Sequence, residues 1–262
     1  MSDPEAPDSE AARRRAREGG VEDERDAAED ADDAAVLPRP SLFNPLPPLI
    51  VVAALALVAV EAVFVLAQLG FVGGPGAIGW RMQASMDWGF SAPLLDRMIA
   101  RREFPPGDLA RFLSYGLIHA SLVHTLFAVV LLLALGKAVS ASLSGAAMAA
   151  TMLAGLVAGA LGYWAVLEGR HLLVGAYPAI YALLGAFTWS LWRKASGRGR
   201  ILAFRLVGVL IALQVAFRLV EDTGDIWVAE AAAFAAGFGL AFVVAPGGGR
   251  RLRRVRARLR AR

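Results

Sequence analysis

With 262 residues, 57% of them apolar, and a mean hydropathy of +0.53, the chain is too apolar for an ordinary soluble domain and reads as an integral membrane protein. It has no cysteine, which excludes disulfides and thiolate metal sites. The net charge of +4 hides opposite ends: residues 1–40 hold 13 acids against 6 arginines, a net of −7, and residues 250–262 hold 8 arginines and no acid. An arginine run directly after an apolar span marks a cytoplasmic end near anionic lipid rather than a nucleic-acid site.

Residues 1–40 are rich in Ala, Asp, Glu and Arg with almost no large apolar side chain. They cannot bury enough surface to fold alone and are expected to be a disordered acidic tail. No signal peptide is visible, so a first span at about 49–72 is expected to act as its own insertion signal and to stay in place. Residues 73–108 mix Trp80, Met82, Trp88 and Phe90 with charges; this stretch is too polar to span and predicts interfacial helices on one membrane face.

Further spans, each near the 20 residues that a bilayer core requires, are predicted at about 112–139, 143–166, 173–192, 201–220 and 226–244. The organisation is thus an acidic tail at 1–40, a six-helix membrane domain at 41–246 and an arginine-rich tail at 247–262. With six spans, the loop holding Arg193, Lys194, Arg198 and Arg200 shares a side with the terminal tail. The positive-inside rule makes that side cytoplasmic, together with the N-terminus. Glu221, Asp222 and Asp225 fall outside, and Arg97, Arg101 and Arg102 of the long first loop run against the rule.

Ionisable groups at membrane depth are costly and are functional candidates by default. They are Glu61 in the first span, His119 and His124 in the second, and Glu230 near the start of the sixth; Tyr177 and Tyr181 add polar handles in the fourth. Glu61 is read as facing a neighbouring helix and neutral by protonation. Glu230 is balanced between structural hydrogen bonding and function. His119 and His124, five residues apart on a continuous helix, would sit about 140° apart around it, so a zinc site completed by Glu230 is disfavoured. Ser121 lies one turn before His124; serine in such helices more often bonds to the backbone than acts as a nucleophile. Small residues at four-residue spacing, Gly155 and Gly159, then Ala233 and Gly237, indicate close helix packing.

Three motifs then line up. The run from Arg111 through His119 and His124 to Ala128 resembles the second helix of the rhomboid intramembrane serine proteases, an arginine followed by H-x-x-x-x-H-x-x-x-N. The run from Gly175 through Tyr177, Pro178 and Tyr181 to Gly185 resembles the rhomboid G-x-S-G-x-x-Y-x-L-x-G at the start of the fourth helix. The run from Ala229 and Glu230 through Ala233 to Gly237 resembles A-H-x-x-G-x-x-x-G in the sixth. The resemblance covers about residues 49–245 and implies an all-α, rhomboid-like bundle of six transmembrane helices.

The departures from that pattern fall on the chemistry. Tyr177 stands at the position of the family's nucleophilic serine and Glu230 at that of its basic histidine. Ala128 replaces the asparagine that helps hold the oxyanion, while His124 and Tyr181 are retained. Acyl transfer needs a nucleophile within reach of a base, with donors at the developing oxyanion; a phenol and a carboxyl do not supply this pair. A Tyr177–Glu230 hydrogen bond across the fourth and sixth helices is expected in place of the Ser–His contact.

With these departures the resemblance implies a pseudoprotease that binds transmembrane segments of client proteins without cleaving them, and the Ala/Arg-rich composition points to a bacterial inner membrane as its setting. Its cleft would involve His119, His124, Ala128, Gly175, Tyr177, Tyr181 and Glu230, with no catalytic residue, metal, cofactor or nucleic-acid partner. The alternative is an active intramembrane serine-type endopeptidase, which needs a hydroxyl or water within reach of a base. A transporter or proton relay ranks last, because it needs a polar path between both faces.

Overall fold

The computed structural model describes residues 46–166, 172–205, 207–209 and 226–246, all within the unit Pro45–Arg262; the unit Met1–Asn44 contains none of them. The expected tails at 1–40 and 247–262, and most of the expected fifth span, lie outside the described residues. Those described form an all-α membrane protein, with one isolated bridge between Phe90 and Leu173.

Helix α1 (Pro48–Gln68) opens with proline at its first position, where the missing N–H would have no intrahelical partner. Its buried residues Ile50, Ala54, Leu57, Glu61, Phe64 and Ala67 recur every three or four positions, the single stripe of a helix with one protein face and the rest toward lipid. The predicted interfacial segment follows as a 3₁₀ turn (Pro75–Gly79) and helices α2 (Trp80–Trp88) and α3 (Ala92–Arg101), then α4 (Pro106–Ser114). Helix α3 buries Ala92, Leu95 and Met98 and leaves Arg97 and Arg101 exposed.

The expected second span is not one helix. It breaks into α4, a 3₁₀ turn at Tyr115–Leu117 and α5 (Leu122–Ser140), which starts afresh at an N-cap on Ser121. Helix α6 is Gly145–Val166, α7 is Tyr177–Lys194, a short α8 is Arg198–Leu202 and α9 is Trp227–Val244. Among the described residues, α1, α5, α6 and α9 are long and apolar enough to cross a membrane.

Helix α7 reaches 18 residues but is less apolar, and its place in the bundle explains this. Every residue from Pro178 to Ser190 except Phe187 is buried, packed chiefly against α6 and α9. A helix shielded from lipid by protein has no need of an apolar surface all round. Small residues permit this packing: a Cβ on Gly155 would meet Ala182, one on Gly185 would strike the Phe234 carbonyl, and one on Gly237 the Ala182 backbone. The four-residue spacing read as a sign of tight packing thus lies at the α6–α7–α9 contacts.

Candidate functional site

The break before α5 creates the site. Because the chain turns at 115–121 instead of continuing as helix, the 140° separation expected of His119 and His124 does not apply. Their rings meet edge to face with centroids 5.2 Å apart. The Ser121 hydroxyl accepts the His124 N–H at 3.2 Å, capping α5, and Thr125 N–H donates to the Ser121 carbonyl. Ser121 thus has the structural role of satisfying donors at a helix start.

Residues 172–176 lead into α7, bending at Gly175 and Ala176. Phe90 and Leu173 exchange two main-chain hydrogen bonds at 3.0 and 2.9 Å, and Gly175 N–H donates to the Tyr115 carbonyl at 2.9 Å. Gly175 has φ +112°, and a Cβ there would lie 3.1 Å from His124 Cε1, so conformation and space both call for glycine. The opposite wall is fastened by Arg111, which donates to the Met86 carbonyl at 2.7 Å, and by Ser114, whose hydroxyl donates to the Trp88 carbonyl at 2.9 Å. Tyr115 is fully buried and donates to the Leu156 carbonyl of α6 at 2.8 Å.

At the first turn of α7 the Tyr177 ring lies flat on His124, with centroids 4.7 Å apart and planes 13° from parallel. The Tyr177 hydroxyl is 3.3 Å from the His124 carbonyl, to which it donates. Each imidazole has one acceptor nitrogen directed at a main-chain amide. His119 Nε2 accepts the Ala176 N–H at 3.2 Å, and His124 Nδ1 accepts the Ala120 N–H at 3.4 Å. A neutral imidazole has a single lone-pair nitrogen, so in this arrangement both are held as acceptors of backbone donors.

Of the remaining predicted residues, Ala128 is fully buried in the core, Tyr181 is buried one turn beyond Tyr177, and Glu230 is buried in the first turn of α9. The starts of α7 and α9 converge on α6: a Cβ on Gly159 would lie 2.7 Å from Pro178 Cβ and 3.2 Å from the Ala229 carbonyl. His119, Gly175 and Tyr177 therefore gather around His124, with Glu230 in the same layer. Among the described residues no group of three His, Asp or Glu side chains converges on a point where a metal ion would bind.

Glu61 departs from its expected state. Instead of a lone neutral acid it is half of an ion pair: Arg81 of α2 donates to both carboxylate oxygens at 2.7 and 2.9 Å, and Thr125 adds a hydroxyl donor at 2.8 Å. Arg81 also donates to the His119 carbonyl at 2.9 Å and stacks over Phe64, 5.0 Å from its centroid. Arg81 and Thr125 were not singled out from the sequence. The available signal was the acid itself: a carboxylate in an apolar helix calls for a basic partner, and Arg81 is the first basic residue after it.

No curated protein matches the sequence. The rhomboid domain family matches residues 106–247, more than half of the chain, and the match takes in α4 to α9 and with them His119, His124, Gly175, Tyr177 and Glu230. The chain belongs to the rhomboid family.

Proposed function

We propose that the protein is a rhomboid pseudoprotease that binds transmembrane segments of client proteins without cleaving them. The observation that carries this reading is the state of the two histidines. General base catalysis needs an imidazole lone pair within hydrogen-bond reach of the nucleophile's proton, and here Ala176 and Ala120 N–H groups occupy those positions. The two hydroxyls closest in sequence to His124 are also engaged: that of Ser121 accepts a helix-capping amide and that of Thr125 donates to Glu61. At the position that the resemblance assigns to the nucleophilic serine, a tyrosine ring covers His124.

A stacked phenol and imidazole between α5 and α7 present an amphipathic surface suited to a helix backbone and its small side chains. The family's fold supplies the scaffold, and fold alone does not carry its chemistry. The proposed setting is a bacterial inner membrane with both termini cytoplasmic, supported by the basic residues gathered at one end of the bundle. The proposed Tyr177–Glu230 hydrogen bond would join α7 to α9 beneath the client.

Photocrosslinking tests this reading. A benzophenone amino acid replacing Tyr177 is expected to capture a transmembrane client, while one replacing lipid-facing Val58 captures lipid only. Equal client capture at both positions would remove the proposed cleft.

A further inference from the structure

The two ends of the bundle differ sharply in charge. Ile50 at the start of α1 packs on Gly136 near the end of α5, and Trp192 near the end of α7 packs on Phe238 in the second half of α9 at 6.2 Å. The start of α1 and the ends of α5, α7 and α9 therefore share one end of the molecule. That end carries Lys137, Arg193, Lys194, Arg198, Arg200 and Arg205, all exposed. The acids among the described residues, Glu61, Asp87, Asp96, Glu103, Asp108 and Glu230, belong to the opposite half. The ion pairs among the described residues are Arg81–Glu61 and Arg111–Asp108, so none of these six cations has an acidic partner there.

The cations are interleaved with aromatic and apolar surface. The Arg193 guanidinium lies over Trp189 at 5.5 Å and that of Arg200 over Trp192 at 4.9 Å, which fixes two planar donor forks beside rings of the type enriched at bilayer interfaces. Between and beyond them, Ile201 is 75% and Leu202 55% exposed, an apolar edge that a soluble polyanion would leave in water. Guanidinium groups match phosphate oxygens with paired hydrogen bonds.

We propose that the end of α7 and helix α8 form a binding surface for anionic phospholipid headgroups. Arg193, Arg198 and Arg200 bind the phosphate, and Ile201 and Leu202 enter the acyl region beside it. The surface goes beyond the proposed client cleft and does not depend on it, since it lies at the other end of α7.

The test uses the full chain in phosphatidylcholine liposomes with a trace of spin-labelled phosphatidylglycerol or spin-labelled phosphatidylcholine, reading relative association from the motionally restricted signal. Selectivity for phosphatidylglycerol is expected to be at least about fivefold, the contribution of one surface cation. It should fall severalfold in Arg193→Gln/Arg198→Gln/Arg200→Gln, with the arginines of 250–262 retaining a remainder. The control Arg97→Gln/Arg101→Gln/Arg102→Gln removes the same charge from the opposite end and should retain the selectivity. Equal loss in both variants, or no loss in the first, would overturn the proposal. So would displacement of the labelled lipid by excess soluble glycerol phosphate, which would mark a free-phosphate site. Circular dichroism of both variants verifies that each is folded.

Discussion

Removing either partner of the Arg81–Glu61 pair should destabilise the protein far more than removing both. Side-chain exposure is 13% for Arg81 and 6% for Glu61, so solvent screens the pair little. In Arg81→Met, the Glu61 carboxylate retains only the Thr125 hydroxyl among the donors described above. Stranding a buried charge in this way costs about 3–5 kcal/mol. In Glu61→Leu the guanidinium keeps the His119 carbonyl and the Phe64 ring, and the expected cost is about 2–4 kcal/mol by the same reasoning. The double variant Glu61→Leu/Arg81→Met leaves no stranded charge and fills similar volume, so it should lie within about 1–2 kcal/mol of the parent. The assay is reversible unfolding in mixed micelles, arranged as a double-mutant cycle. Single substitutions that each cost under about 1 kcal/mol, or a double variant whose cost equals their sum, would refute a buried, tightly coupled ion pair.

Three further outcomes follow from the packing. Gly237→Val should cost about 3 kcal/mol or more in the same unfolding assay, because its Cβ meets the Ala182 backbone, which has no rotamer through which to yield. Gly175→Ala should cost about 1–3 kcal/mol from positive φ alone, and the added methyl against His124 should disturb the Tyr177 stack, read as a change in near-ultraviolet circular dichroism. Ser121→Ala should cost about 1 kcal/mol through loss of the α5 cap, with client crosslinking at Tyr177 unchanged.

The spans were legible wherever a helix has one lipid face, since long apolar runs such as 48–68 and 227–244 are direct consequences of bilayer thickness. Helix α7 was found despite its lower apolarity as a run of span length at 173–192. The break at 115–121 was not found, because Leu117 and Ile118 continue the apolar run; only Gly116 and the capping Ser121 mark it. The histidine geometry was missed for the same reason. A helical wheel placed His119 and His124 apart, whereas the capped restart of α5 brings their rings together. The partner of Glu61 lay 20 residues away on a different helix, a tertiary pairing that local periodicity does not encode.

Proteolysis tests the central claim most directly. The unmodified chain and the variant Tyr177→Ser/Pro178→Gly/Glu230→His are each reconstituted with a rhomboid-type transmembrane substrate in liposomes. The unmodified chain should give no product while its Tyr177 position still crosslinks the substrate helix. Cleavage by the unmodified chain that is abolished by Ser121→Ala or His124→Ala would contradict the pseudoprotease reading and establish an active hydrolase.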